Sequence, residues 1–225
     1  PIIYFIRKKF GLKLGVIVLS SIWLAGLLKG IFKVERPPKS NWKVNASGYS
    51  FPSGHATNAA SYWGYIAYKL RNIYSTIPII LVILIGVSRI YLGVHWWYDV
   101  VAGWILGLTV LLFIDYGYEK HIEKAEINFQ LGLLLSFLVP YGLIGATFVI
   151  VGGSFYELSV AIKTLSTISG ILFGYLLAEH YNLSLEDTNN LVDIILRCAI
   201  GLAIVGIFYA IAKMFSNLLL IVSIM

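Results

Sequence analysis

Long apolar runs restrict the fold of this chain more than any other feature. Seven of them approach the length of about 17 to 25 residues with which an α-helix crosses a bilayer. Only 12% of the residues are charged, compared with about 25% in soluble domains. The alternating pattern of a membrane β-barrel is absent, and backbone amides in lipid must be paired within the protein. The sequence therefore predicts an all-α, polytopic transmembrane bundle of about seven helices, at residues 12–32, 55–68, 76–94, 97–114, 130–151, 158–178 and 191–212.

The polar motifs divide this bundle into two parts. Residues 1–116 contain all of the motifs and form a predicted catalytic helix core, whereas residues 117–225 supply additional helices of the same bundle without a readable role. Small side chains in HATNAASYWG, residues 55–64, predict that the second helix packs closely against its neighbours near the centre. The opening PIIYFI and the basic RKKFGLK have the pattern of the end of an earlier span.

The distribution of cations predicts the orientation of the bundle. One side carries Arg7, Lys8, Lys9, Lys13, Lys69, Arg71, Lys120 and Lys124, and the positive-inside rule makes it cytoplasmic. The other side also carries cations, namely Lys29, Lys33, Arg36, Lys39, Lys43 and Arg89. The excess of positive charge on the first side is therefore clear only if some of these six residues have a function other than setting the orientation. The net charge of +6 fits attraction to anionic lipid head groups. Nucleic acid is not an expected partner, because the cations lie on two membrane faces, and no obligatory protein partner is inferred.

Three groups of polar residues fall at helix ends on the outward side. In KGIFKVERPP, Lys29 and Arg36 are seven positions apart, about two helical turns, so both point the same way if the helix persists. Two prolines then end any helix. The second group is PSGH at the start of the second helix. The third is SRIYLGVHWWYD, and the residues of interest in the last two groups are Pro52, Ser53, Gly54, His55, Ser88, Arg89, His95 and Asp99.

Each group alone has an ordinary explanation: cations at helix ends reach for the interface, a Pro-Ser-Gly turn starts a helix, and tryptophans form an aromatic belt. Together they bring three cations, two histidines and a carboxylate to one depth. An ionisable group in the membrane centre costs about 2.5 to 3.5 kcal/mol, so this convergence indicates function. Phosphate chemistry fits best. Lys29, Arg36 and Arg89 would neutralise a dianion.

The helix that begins after PSGH offers further phosphate ligands. The amides of Gly54 and His55 and the hydroxyl of Ser53 would form an anion cradle, and glycine permits close approach of the backbone. His95 and Asp99, four positions apart, are expected on one helical face. A carboxylate on one ring nitrogen fixes the tautomer and leaves the other nitrogen free to attack. The two imidazoles therefore have separable tasks.

These residues resemble the motifs of the type 2 phosphatidic acid phosphatase, or lipid phosphate phosphatase, superfamily, which shares its core with vanadium haloperoxidases and glucose-6-phosphatases. Lys29 to Pro37 matches K-x6-R-P, residues 52–55 match PSGH, and residues 88–99 match S-R-x5-H-x3-D without a substitution. The resemblance covers roughly residues 12–114. It implies a multi-pass cell-membrane enzyme with a lipid phosphate as substrate: phosphatidate, phosphatidylglycerol phosphate or a polyprenyl diphosphate. The distribution of cations places the expected active site on the extracytoplasmic side.

The resemblance also implies a role for each site residue. His95 would attack phosphorus, Asp99 would orient it, and His55 would protonate the leaving alkoxide and then activate water. Five residues would hold the phosphate oxygens, namely Lys29, Arg36, Ser53, Gly54 and Arg89, so that neither a metal ion nor a cofactor is expected. The attack would leave His95 as a phosphohistidine. A phosphotransferase that passes this phosphoryl group to an alcohol other than water is an open alternative. An anion transporter, whose cations would line a conduit, and a haloperoxidase are less favoured.

Overall fold

The computed structural model describes residues 8–70, 72–118, 120, 128–152 and 155–182, together with 190, 192, 195–197, 199–201, 203, 206 and 207. Most of the seventh predicted span, residues 191–212, lies outside the described residues, and the opening PIIYFI lies wholly outside them. The described part is all-helical, as predicted, with short 3-10 turns at Lys39–Asn41 and Ile73–Ser75. Its α-helices are α1 (Lys8–Phe32), α2 (Gly54–Leu70), α3 (Thr76–Tyr91), α4 (Trp97–Gly117), α5 (Phe129–Val151) and α6 (Phe155–His180).

Most of these helices have the length and composition of membrane spans. Five stretches of the described chain qualify: Lys9–Phe32, Ile73–Tyr91, Trp97–Gly117, Phe129–Val151 and Phe155–His180. The remaining helix, α2, has 17 residues and a length of about 25 Å at 1.5 Å per residue. It is less apolar because alanine, serine and threonine fill its buried face. The chain is a multi-pass membrane protein.

Close packing against α4 fixes the start of α2. As predicted from its small side chains, α2 lies against α1, α3 and α4. A Cβ on Gly103 of α4 would come within 2.8 Å of the Ser53 carbonyl oxygen and 3.0 Å of the Ala56 Cβ, and a Cβ on Gly107 would overlap the α2 backbone. The Ser53 amide also donates to the Asp99 carbonyl oxygen at 2.9 Å. These contacts hold the PSGH segment beside the start of α4.

The first helix ends where its predicted span, residues 12–32, ends and does not continue to the proline pair. It stops at Phe32, and Lys33 takes a left-handed conformation with φ of 49°. The Lys33 amide closes this turn by donating to the Lys29 carbonyl oxygen at 3.0 Å. The helix therefore does not persist to Arg36, and that residue lies in the loop between α1 and α2 rather than on the helical face of Lys29.

A buried ion-pair cluster joins three helices at the other end of the bundle. Asp115 of α4 accepts from Lys13 Nζ at 3.3 Å, Lys69 Nζ at 2.7 Å and Tyr65 Oη at 3.2 Å. From Asp99 to Asp115 helix α4 rises about 24 Å, so this cluster is remote from the motif residues. Lys13 and Lys69 were among the cations that predicted the cytoplasmic side. In the structure they also balance a buried carboxylate, because an unpaired buried charge is costly.

The last two described helices pack on each other, and α6 also packs along α1. All six described α-helices belong to one compact unit, residues 1–184, and residues 185–225 form a second unit. Between α5 and α6 the chain turns at Gly152, whose φ is 67°. The α6 helix thus begins at the same end of the bundle where α1 and α3 finish. The predicted division at residue 116 into a catalytic core and additional helices stays a prediction.

Candidate active site

The ends of four helices, at the end of the bundle opposite Asp115, and the loop between α1 and α2 place the predicted residues together. Lys29 lies in the last turn of α1 and is 9% exposed. Its Nζ donates to the carbonyl oxygens of Tyr49 at 2.7 Å and Ser50 at 2.9 Å. An ammonium group has three donors, so one donor remains for a ligand. The loop that precedes PSGH therefore positions this cation.

Backbone carbonyl groups also position Arg36. Its Nε donates to the Gly48 oxygen at 3.0 Å, its Nη2 to the Ser47 oxygen at 2.8 Å and its Nη1 to the Val94 oxygen at 2.8 Å. The same Nη1 lies 3.2 Å from His95 Nε2. Four of the five guanidinium donors are thus engaged, and one on Nη2 remains. Arg36 joins the loop before α2 to the turn before α4.

These contacts determine the tautomer of His95. A guanidinium has no acceptor, so His95 Nε2 must accept the hydrogen bond from Arg36 Nη1 with its lone pair. The proton of the neutral ring then resides on Nδ1, which lies 3.3 Å from Asp99 Oδ2 and donates to it. This is the tautomer that the sequence predicts for an attacking Nε2. The lone pair of Nε2 faces the guanidinium group of Arg36.

The Asp99 carboxylate is fully buried and organises this turn. Its Oδ2 accepts from the Trp96 amide at 2.8 Å, from His95 Nδ1 at 3.3 Å and from the Ser50 hydroxyl. Within the described residues its Oδ1 has no hydrogen-bond partner. The sequence predicted the pair of His95 and Asp99 but missed Ser50, whose position two residues before PSGH was the available signal.

Burial lowers the pKa of His95 from its ordinary range, and the nearby charges of Lys29 and Arg36 lower it further. The hydrogen bond to Asp99 and the charge of that carboxylate act in the opposite direction. Desolvation is the largest of these effects. It lowers the pKa because burial disfavours the charged imidazolium. The ring therefore stays neutral at neutral pH, as a nucleophile requires.

The other predicted residues present unused polar groups at the same end. Ser53 is buried, and its hydroxyl has no hydrogen-bond partner within the described residues. Gly54 and His55 form the first positions of α2, and the His55 side chain is exposed. Lys29, Arg36 and Arg89 all act electrostatically on the His55 ring, with Arg89 the strongest. Arg89 donates from Nε to the Ser88 hydroxyl at 3.1 Å, and in the described chain its terminal nitrogens make no hydrogen bond.

Comparison with known proteins identifies relatives of this site. A family model described as the PAP2 superfamily matches residues 10–123. Phosphatidylglycerophosphatase B of Bacillus subtilis is 34% identical over 134 residues, which cover 54% of this chain and 64% of that protein. Undecaprenyl-diphosphatase of Sulfolobus acidocaldarius is 31% identical over 125 residues, which cover 53% of this chain and 61% of that protein. The matched segment thus spans less than two thirds of the length of these relatives.

A solved structure, described as the first transmembrane PAP2 type phosphatidylglycerolphosphate phosphatase from Bacillus subtilis, is also similar. It is 31% identical in sequence and superimposes with a TM-score of 0.48. The superposition covers 56% of this chain and 66% of the solved one.

Proposed function

Because this chain belongs to the PAP2 superfamily, we propose that it is an integral-membrane phosphatase that hydrolyses a lipid phosphate monoester or diphosphate through a phosphohistidine. The names of the two relatives indicate phosphatidylglycerophosphate and undecaprenyl diphosphate as the substrates of those proteins. One observation carries the proposal for this chain: His95 Nε2 accepts from Arg36, while Nδ1 donates to Asp99. A phosphate oxygen bound to that guanidinium brings phosphorus beside the attacking nitrogen.

The available donors define how the phosphate binds. Lys29 and Arg36 each retain one donor after their contacts with backbone carbonyl groups. Arg89 contributes its terminal nitrogens, and the buried Ser53 hydroxyl contributes a donor without a competing partner in the described chain. The free amides at the start of α2, at Gly54 and the next residue, complete the cradle. Three cations thus face the spread negative charge of a transferring phosphoryl group.

In the first step the phosphate takes over the donor of Arg36, and the Nε2 lone pair of His95 attacks phosphorus. A nitrogen–phosphorus bond forms, the phosphorus–oxygen bond to the lipid breaks, and protonated His55 gives its proton to the leaving oxygen. The ring of His95 becomes positively charged, and the Asp99 carboxylate on Nδ1 stabilises that charge. The dephosphorylated lipid then leaves.

In the second step neutral His55 removes a proton from water, and the water oxygen attacks phosphorus. The nitrogen–phosphorus bond breaks, its electron pair returns to Nε2 of His95, and inorganic phosphate leaves. Within the part of the chain that the structure describes, no group of three or more His, Cys, Asp or Glu side chains comes together as metal ligands. We assign charge stabilisation to the three cations Lys29, Arg36 and Arg89, which would take the place of a metal ion, and on that ground propose a metal-independent reaction.

We place the active site on the extracytoplasmic side. The support is the excess of cations at the opposite end, where Lys13 and Lys69 lie. Lys39 in the loop between α1 and α2 is exposed, so a Lys39→Cys change in a Cys198→Ser background tests this orientation. A membrane-impermeant maleimide should label the variant in intact cells. Labelling that requires broken membranes would reverse the orientation.

A phosphate-release screen tests the reaction. Purified protein in detergent is offered radiolabelled lipid monophosphates and diphosphates, with and without candidate acceptor alcohols, and His95→Ala serves as the inactive control. We expect free phosphate from at least one lipid and none from the variant. Label that passes mainly into a second lipid would establish a phosphotransferase instead. A folded wild-type protein that releases no phosphate from any of these lipids would overturn the proposal.

A further inference from the structure

The first turn of α6 lies outside the segment matched by the family, yet it contacts the phosphate-binding end of α1. A Cβ on Gly30, the residue after Lys29, would come within 3.2 Å of Glu157 Cγ and 2.7 Å of Val151 Cγ1. The α1 backbone therefore passes closely against the end of α5 and the start of α6. Glu157 is a carboxylate with only 2% exposure at this contact.

The charges around Lys29 indicate that the Glu157 carboxylate compensates the charge of this buried ammonium group. Five charged or titratable groups from other elements interact electrostatically with the ammonium group: Arg36 from the loop, His55 from α2, His95 from the turn before α4, Asp99 from α4 and Glu157 from α6. Asp99 already accepts three hydrogen bonds, and Arg36 repels the ammonium group. A buried cation requires a compensating carboxylate. Glu157 is the other carboxylate that acts on Lys29.

Tyr156, which precedes Glu157 in α6, lies against a loop residue that binds Arg36. The ring of Tyr156 would lie 3.5 Å from a Cβ on Gly48, and the Gly48 carbonyl group accepts from Arg36 Nε. Tyr156 also acts electrostatically on the Arg36 guanidinium. Two consecutive residues of α6 thus lie against the groups that position two phosphate-binding cations.

We propose that Glu157 is a positioning residue that keeps the Lys29 ammonium group charged and in place for the substrate phosphate. The inference rests on the proposed phosphatase function, because it assigns Lys29 to phosphate binding. A carboxylate beside a buried ammonium favours its charged form. Loss of that carboxylate should therefore weaken phosphate binding and leave the attacking nitrogen unaffected.

A structural role of Glu157 is separable by the choice of substitution. In the sequence, Ser154 to Glu157 has the S-x-x-E pattern of a helix capping box. Glutamine fills the same capping position, so Glu157→Gln removes the charge and retains the hydrogen-bonding ability and shape. Glu179→Gln is the matched control, because Glu179 is exposed at the far end of the same helix.

The experiment compares wild type, Glu157→Gln and Glu179→Gln in detergent, with phosphate release and inhibition by orthovanadate as measurements. We expect Glu157→Gln to raise KM and the vanadate inhibition constant about tenfold, which corresponds to about 1.4 kcal/mol of binding free energy. Its kcat should stay within about threefold, and the alkaline limb of its kcat/KM profile should move to lower pH. Glu179→Gln should match wild type.

The outcomes separate this inference from the proposed function. An inactive but folded wild type would remove the proposed phosphatase function, and direct vanadate binding by the three proteins would still compare the affinities. An active wild type with unchanged KM, vanadate inhibition and alkaline limb in Glu157→Gln would overturn the role of Glu157. If thermal unfolding shows that Glu157→Gln does not fold, Glu157→Asp replaces it. That variant keeps the charge and should retain the wild-type alkaline limb; a limb shifted to lower pH would overturn the inference.

Discussion

Replacement of Asp99 by asparagine isolates the proposed contribution of its charge to the attack by His95. In the wild type, Asp99 Oδ2 accepts from the Ser50 hydroxyl, the Trp96 amide and His95 Nδ1. An amide oxygen in the same place still accepts from the first two donors, and the side-chain volume hardly changes. We therefore expect Asp99→Asn to fold. The variant lacks the negative charge that faces the imidazole ring.

The expected loss follows from the contact between His95 and Asp99. A hydrogen bond to a charged group contributes about 1.5 to 3 kcal/mol. The His95 ring gains positive charge as Nε2 attacks phosphorus, so the loss falls mainly on the transition state. At about 1.4 kcal/mol per factor of ten, kcat should fall about 10- to 150-fold. KM should change less than about threefold, because the proposed phosphate ligands remain in place.

Initial rates of phosphate release in detergent measure this effect, and thermal unfolding reports whether each protein is folded. Asp115→Asn is the matched control, because Asp115 is also buried in α4 but lies at its other end, with Lys13 and Lys69. It should lower the unfolding temperature, since two lysines lose a charged partner, and leave the kcat of the folded protein within about threefold.

Two results would contradict the reasoning about Asp99. The first is a kcat of Asp99→Asn within about threefold of wild type at an unchanged unfolding temperature. The second is an equal loss of kcat in Asp115→Asn, which would indicate a general effect of buried charge in α4 rather than orientation of His95.

The remaining predictions concern the two imidazoles, metal ions and pH. His95→Ala should abolish turnover, whereas His55→Ala should slow it and accumulate acid-labile, radiolabelled phosphoenzyme; label on the His95→Ala protein would contradict the assignment. Turnover should be insensitive to EDTA and inhibited by orthovanadate, and a loss on chelation that magnesium restores would establish a different mechanism. Burial lowers the pKa of His95 below its ordinary 6.5, so the neutral nucleophile persists to lower pH. Accordingly the acid limb of kcat/KM, which reports protonation of His95, should have its midpoint below about pH 6.5, and an acid limb centred well above 6.5 would count against a neutral, buried His95.

The apolar runs predicted the described helices within a few residues, because hydrocarbon thickness limits helix length. The predicted spans at residues 76–94 and 97–114 correspond to Thr76–Tyr91 and Trp97–Gly117. The error at the end of α3 has a tertiary cause. Gly93 has a φ of 71°, and its Cα lies against the Asn41 backbone, where a side chain would overlap. A contact between residues so distant in sequence leaves no mark on a hydrophobicity pattern.

The sequence predicted contacts between residues that are close along the chain. It did not predict the contacts made by the loop between α1 and α2. The four-residue spacing of His95 and Asp99 correctly indicated their contact, although His95 precedes the first residue of α4. The carbonyl groups that hold Arg36 belong to a loop without a periodic pattern, so sequence spacing did not predict them. The same holds for Ser50. The catalytic and phosphate-binding roles of all these residues stay predictions.

The pairing of α2 with α4 at both ends has a consequence for the response to lipid composition. The Ser53 amide binds the Asp99 carbonyl group at one end, and Tyr65 and Lys69 bind Asp115 at the other. Because α2 and α4 are hydrogen-bonded to each other at both ends, we expect them to tilt together and not to slide along each other. In a thinner or thicker bilayer the pair should change its angle to the membrane normal as one body. The distance between His55 at the start of α2 and Asp99 at the start of α4 would then be independent of membrane thickness.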